Sequence, residues 1–87
     1  MRAKQNIVGP QIRKHRYQQE LSQEMLVARC ATAGLDISRG TLAKIEAGVR
    51  CVSDHEVLLL AKALKVNLHE LYPAHLSSKT ASGRSTR

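Results

Sequence analysis

The sequence contains almost no aromatic residues. Among its 87 residues there is no Phe and no Trp, and the two tyrosines are Tyr17 and Tyr72. Proteins that bind single-stranded nucleic acid stack the bases on aromatic side chains, so the composition argues against that class. The apolar residues are mainly Leu, Ala, Ile and Val, which is typical of a compact helical bundle.

Cysteine is also scarce. Cys30 and Cys51 are too few for a disulfide framework, and we expect both to be reduced, with Cys30 in the core. Cys30, Cys51 and His55 could be considered as zinc ligands, but they lack the paired spacing of structural zinc sites. We therefore expect no metal and no cofactor.

Long hydrophobic runs are missing as well. No apolar stretch approaches the roughly 20 residues of a membrane span, and the N-terminus has no signal-peptide hydrophobic region. These observations predict a cytoplasmic protein with no membrane partner. There is also no nucleophile with a base, no paired-carboxylate motif and no glycine-rich phosphate loop, so an enzyme is not expected.

The basic residues are unevenly distributed. The formal net charge is +7, but the terminal segments contain no acid and hold five of the 14 basic residues. Between Gln5 and Leu76, nine basic residues face seven acidic ones, which leaves a charge of only +2. The sequence predicts an N-terminal arm over residues 1–7, a folded domain over residues 8–76 and a disordered basic tail over residues 77–87.

Helix start and stop signals predict five helices in an all-α domain. Pro10 begins the first helix, which should extend to about Gln19. The other four share one start device, a capping Ser or Asn flanked by two apolar residues that close over it. The caps are Ser22, Ser38, Ser53 and Asn67. Gly34 and Gly48 end the second helix (about 23–33) and the third (about 39–47), and Pro73 ends the short fifth.

The third helix has a basic exposed side. Its first turn lacks acidic residues, and Arg39, Thr41 and Lys44 follow its cap. Such a surface suits a groove of nucleic acid.

Four groups of residues together carry a family resemblance. They are Ile12-Arg13 with Arg16; Leu21-Ser22-Gln23 with Leu26; Ser38-Arg39 with Thr41-Leu42, Ile45-Glu46 and Gly48; and Leu60-Ala61 with Ala63-Leu64-Val66. From Val8 to Pro73 the chain resembles the Cro and phage-repressor type of helix-turn-helix domain, also called the xenobiotic-response-element family. The resemblance implies a lambda-repressor-like five-helix bundle that inserts its third helix into the major groove of DNA.

The resemblance also implies roles for individual residues. Arg39, Gly40 and Lys44 match base-contacting positions, although Gly40 has no side chain and can read only shape. The residues expected at phosphates are Gln23, Ser38, Thr41, Arg50 and Ser53. Each basic residue could instead be a solvated surface side chain, and Thr41 could be a helix-surface residue without a specific contact.

Two further features come from the comparison with the family pattern. Arg16 and Glu46 match an arginine and a glutamate that form a partly buried ion pair, which would fix the third helix to the first. The spacing from Leu26 to Leu42 is sixteen residues, longer than is usual in the family. Periodicity predicts that the second helix gains roughly one turn, with Gly34 at its new end.

The leading hypothesis is a sequence-specific double-stranded DNA binder that acts as a transcriptional regulator, namely a repressor, and binds a palindromic operator as a homodimer. Leu68, Leu71 and Tyr72 could form the dimer contact or could close the monomer's own core. The alternative is an antitoxin-like protein-interaction module whose DNA binding is secondary to binding a protein partner.

Overall fold

Four α-helices account for most of the chain that the structure, a computed structural model, describes, namely residues 4–73. They are α1 (Gly9–Gln18), α2 (Gln23–Ala33), α3 (Arg39–Glu46) and α4 (Asp54–Leu64), followed by a single 3₁₀ turn over Leu68–Leu71. No strand occurs within this range, and no helix in it is long and apolar enough to cross a membrane. The predicted disordered tail, residues 77–87, lies outside the described residues.

Serine side chains set the starts of α2, α3 and α4. The Oγ atoms of Ser22, Ser38 and Ser53 each accept a hydrogen bond from the backbone N–H three residues ahead, at 3.0, 3.1 and 3.1 Å. At α4 the Glu56 carboxylate also accepts the Ser53 N–H at 3.0 Å, which makes a capping box with the predicted Ser53 cap. The helix starts read from the sequence are thus confirmed.

The prediction of five helices was wrong. The last element is a 3₁₀ turn of four residues, in which the Glu70 carboxylate accepts the Asn67 N–H at 2.9 Å. Tyr72, directly before Pro73, is extended with φ −99° and ψ 152°. The proline ring disfavours a helical conformation in the residue before it, so too few residues remain after Asn67 for an α-helix.

The core is built from one face of each helix. α2 and α4 pack along each other, and the 3₁₀ turn packs against α4 and α1. Leu71 is fully buried, so it closes the monomer's core, whereas Leu68 remains 45% exposed. Cys30 is also fully buried, and burial raises the pKa of its thiol to about 11. The fully buried apolar side chains are Ile12, Leu26, Cys30, Leu42, Ile45, Leu60, Leu64 and Leu71.

The additional length between α2 and α3 lies partly within α2 itself. Gly34 follows the helix with φ +104°, a left-handed conformation that ends it. The Leu35 N–H then donates to the Cys30 carbonyl at 2.8 Å, and the Leu35 side chain is buried. The end of α2 at Ala33 and the glycine stop are therefore as predicted, and only a short connection leads to Ser38.

Two glycine-to-alanine changes should have opposite effects on stability. At Gly34 an added Cβ would meet no atom within 4 Å, so Gly34→Ala is disfavoured only by its left-handed backbone and should lower the free energy of unfolding by about 1–2 kcal/mol. At Gly40, inside α3, the nearest atom to an added Cβ is 3.8 Å away. Gly40→Ala should therefore raise the free energy of unfolding by about 0.5–1 kcal/mol, because alanine has the higher helix propensity. Urea unfolding measures both. Equal effects of the two changes would contradict the assigned backbone conformations.

Candidate nucleic-acid interface

A buried ion pair joins α1 to α3. Arg16 Nε donates to Glu46 Oε2 at 2.7 Å, and Arg16 Nη2 donates to Glu46 Oε1 at 2.9 Å. The remaining guanidinium nitrogen, Nη1, donates to the Leu21 carbonyl at 2.9 Å. The two side chains are only 7% and 0% exposed. The hydrogen bond to Glu46 raises the pKa of Arg16, because it favours the charged guanidinium. The structure thus brings together the two residues that the family resemblance paired.

The ion pair continues to the surface through Gln23. Its Nε2 donates to Glu46 Oε1 at 3.1 Å, and its Oε1 accepts a hydrogen bond from Arg39 Nη1 at 3.0 Å. Arg39 Nε also lies 3.5 Å from Glu24 Oε2, in a pair whose side chains are 58% and 72% exposed. A chain of hydrogen bonds therefore runs from the buried Arg16 to the exposed start of α3.

The outer face of α3 is open to solvent. Arg39, Gly40 and Lys44 are exposed, and Thr41 is half-buried. Lys44 makes no salt bridge with another described residue. The Ser38 hydroxyl donates to Thr41 Oγ1 at 3.1 Å in addition to capping the helix, so both hydroxyls take part in the helix start. The two cations and the glycine predicted to face bases thus lie on the exposed part of one short helix.

The loop after α3 places Arg50 beside the start of α4. Its Nη1 and Nη2 donate to the two carboxylate oxygens of Glu56 at 3.2 and 3.1 Å, and Nη1 also donates to the Cys51 carbonyl at 3.0 Å. Arg50 is therefore a structural partner of the α4 capping box. The hydrogen bond from Arg50 is the main cause that lowers the pKa of Glu56, and the Ser53 N–H adds to it.

Sequence reasoning missed three contributors to this region. Glu24 and Glu56 were not predicted as partners of Arg39 and Arg50. The Arg39–Glu24 pair forms only when α2 and α3 meet, and the Arg50–Glu56 pair forms because the loop after α3 folds back onto the start of α4. Asn6, in the predicted arm, bonds to the end of α3. The sequence contains one signal for Asn6: asparagine is a favoured capping residue, and Asn6 stands three positions before the first residue of α1. In the structure its side chain accepts the Gly9 N–H at 2.8 Å.

Comparison with known proteins gives two findings. The helix-turn-helix family HTH_3 matches residues 11–71 of the chain. The chain is also similar to the crystal structure of the restriction-modification controller protein C.AhdI from Aeromonas hydrophila, with 37% sequence identity and a TM-score of 0.64 over 75% of this chain and 91% of that one. No curated protein matches.

Removal of Glu46 should be strongly destabilising. Glu46→Ala leaves Arg16 buried without its counter-charge and should lower the free energy of unfolding by about 3–5 kcal/mol. The control is Glu24→Ala, which removes an exposed pair and should cost at most about 1 kcal/mol. Thermal and urea unfolding of both variants provide the comparison, and an unchanged melting temperature for Glu46→Ala would contradict the role given to the pair.

The Arg50–Glu56 pair should make stability depend on pH in the acid range. An unfolded glutamate titrates near pH ~4.3, and the pKa of Glu56 in the folded protein is lower. The pair therefore stabilises the fold above that pH, and its contribution disappears as the pH falls through the folded pKa.

Glu56→Gln keeps an acceptor for the Ser53 N–H but loses the charge, so it isolates this effect. It should be less stable than the wild type at pH 7, and the difference should shrink on acidification below about pH 4. The control is Asp36→Asn, at an exposed acid that forms no salt bridge with another described residue. A difference for Glu56→Gln that is the same at all pH values would argue against the pair.

Proposed function

Because the chain belongs to the Cro/C1-type helix-turn-helix family, we propose that this DNA-binding transcription regulator recognises a specific double-stranded sequence with α3 and acts as a repressor. Family membership confirms the expectation that the chain is not an enzyme. The observation that carries the proposal is the exposed basic face of α3, which the buried Arg16–Glu46 pair attaches to the scaffold. The similarity to a restriction-modification controller protein favours the control of restriction-modification genes in particular.

Arg39 is the principal base-reading residue in this proposal. An arginine can donate two hydrogen bonds to O6 and N7 of guanine in the major groove. Gln23 holds the guanidinium at 3.0 Å and is itself held by Glu46 at 3.1 Å, so Arg39 starts from a defined position. Lys44 contacts a second base, and Gly40 lets the backbone of α3 approach the groove closely.

Five polar residues are proposed to contact phosphates and so position α3. Gln23 and Ser53 stand at the starts of α2 and α4, where backbone N–H groups and the helix dipole favour an anion. Arg50 would approach a phosphate while it remains paired with Glu56. These contacts fix orientation and carry no sequence information. The set is Gln23, Ser38, Thr41, Arg50 and Ser53.

The protein is proposed to bind a palindromic operator as a homodimer in the cytoplasm. Two-fold dimers of helix-turn-helix domains bind half-sites about 34 Å apart, one turn of the duplex. Of the residues considered for the dimer contact, Leu71 is buried in the core, Tyr72 is partly buried and Leu68 is 45% exposed. Leu68 is therefore the apolar residue on which the proposed dimer relies.

Selection of bound sequences from a pool of randomised duplexes tests the function. The wild type should enrich a palindrome. Arg39→Ala and Lys44→Ala should each weaken binding to it by about 5- to 150-fold, with relaxed preference at the base pair contacted. The control is Lys62→Ala, which removes an exposed lysine from the C-terminal end of α4 and should leave base preference unchanged.

Two results would contradict the proposal. The first is salt-sensitive binding with no enriched sequence, which would indicate attraction to phosphate alone. The second is co-purification of a stoichiometric protein partner together with loss of function when that partner is removed, which would indicate an antitoxin-like module.

A further inference from the structure

The side chain of Asn6 lies between the start of α1 and the end of α3. Its Oδ1 accepts the Gly9 N–H at 2.8 Å, as a helix cap would. Its Nδ2 donates to the carbonyl of Ile45 at 3.1 Å and to that of Arg50 at 2.8 Å. One primary amide thus uses both its acceptor and its two donors to join three separate backbone sites.

The residues before Asn6 bond to the same turn. The Gln5 N–H donates to the Gly48 carbonyl at 2.8 Å, and Lys4 Nζ lies 3.3 Å from the Ala47 carbonyl. The last carbonyls of a helix lack the N–H donor four residues ahead and take donors from elsewhere. The Ile45 carbonyl accepts the Gly48 N–H at 3.0 Å as well as the Asn6 amide. The N-terminal segment, residues 4–6, supplies such donors along the turn between α3 and α4.

Gly9 allows α1 to rest directly on the end of α3. A Cβ at this position would overlap the carbonyl oxygen of Ile45 and would lie 2.9 Å from that of Glu46. Both atoms belong to the backbone and cannot move aside as a flexible side chain could. The absence of a side chain at Gly9 is therefore needed for this contact.

We infer that Asn6 is a positioning residue for DNA reading, because its amide gives α3 a second point of attachment besides the Arg16–Glu46 pair. This inference rests on the proposed function, since it concerns the orientation of the proposed reading helix. The ion pair holds the side chain of Glu46, whereas Asn6 holds the backbone one residue earlier. Leu42 and Ile45 anchor α3 in the core, and the two polar attachments at its end restrict the rotation that this apolar packing alone would permit.

The geometry of α3 makes small rotations important. The helix has eight residues, and its base-facing end at Arg39 lies about 9 Å from Ile45 at 1.5 Å per residue. A tilt of about 10° at the attached end would move the reading end by about 1.5 Å over that length. Hydrogen bonds to bases tolerate only about 0.5 Å of variation in distance. A loosened attachment should therefore impair sequence reading more than general attraction to DNA.

Asn6→Asp and Asn6→Ala separate the two roles of the side chain. An ionised aspartate still accepts the Gly9 N–H but cannot donate to Ile45 or Arg50, whereas alanine loses all three bonds. The matched control is Gln5→Ala, because the Gln5 contact with Gly48 uses the backbone and remains. The change removes only an exposed hydrogen bond from Cys51 Sγ to Gln5 Oε1 at 3.3 Å, which lies outside amides 45–50. Two measurements apply to each full-length variant: hydrogen exchange of backbone amides 45–50 without DNA, and affinity for the selected palindrome relative to an unrelated duplex at the same salt concentration.

Both Asn6 variants should exchange faster than the wild type at Gly48 and Val49, and the affinity ratio should fall about tenfold, as for loss of one good base contact. The negative charge of aspartate acts on both duplexes and so cancels in the ratio. Gln5→Ala should match the wild type in both measurements. If Asn6→Ala does not fold, Asn6→Asp decides, because it retains the acceptor for the Gly9 N–H.

A lower melting temperature with an unchanged affinity ratio would overturn the inference, because Asn6 would then only support the fold. Unchanged exchange of amides 45–50 would overturn it as well. If the wild type enriches no sequence, the proposed function fails by itself. In that case the exchange measurement still shows whether Asn6 holds the end of α3.

Discussion

The position of α3 depends on two opposite charges that are buried together. Moving a guanidinium and a carboxylate out of water is costly, and only close pairing with every polar atom satisfied offsets that cost. Arg16 meets this condition by donating to both oxygens of Glu46 and to the Leu21 carbonyl. Because Glu46 is the last residue of α3 and Arg16 lies in the last turn of α1, the pair fixes the ends of the two helices against each other.

The other arginines near this face are also paired in the free protein. Arg39 lies beside Glu24, and Arg50 forms a forked contact with Glu56. Glu46 also lies 3.7 Å from Arg13 Nε, so three of the acids have arginine partners, whereas Lys44 forms no salt bridge with another described residue. In the proposed complex, Arg39 would exchange its contacts with the Glu24 carboxylate and the Gln23 amide for contacts with a guanine. The free energy gained at the base is then a difference between two sets of contacts, which favours discrimination over raw affinity.

Features that depend on neighbouring residues could be predicted from the sequence, and features that depend on distant ones could not. Ser22, Ser38 and Ser53 cap their helices through bonds three residues away, and the Gly34 stop involves only the preceding turn. The predicted fifth helix is absent because Pro73 keeps Tyr72 extended, which leaves too few residues after Asn67 for an α-helix. Asn6 meets Ile45 and Arg50 across 39 and 44 positions, so no local pattern predicts those bonds. The Arg16–Glu46 pair is equally distant in the sequence, and only the resemblance to a known family indicated it.

The end of α2 has a consequence for how chains of this kind can vary in length. Gly34 has no atom within 4 Å of the place where a Cβ would stand, so this end of the helix faces open space. α3, in contrast, is attached through its far end, to α1 and to the segment before it. A residue added beside Gly34 would therefore extend into solvent, whereas Leu35 and Ile37, which pack in or against the core, set the path from α2 to α3. The open end of α2 is thus the place where this connection could change length with the least effect on the attachments of α3.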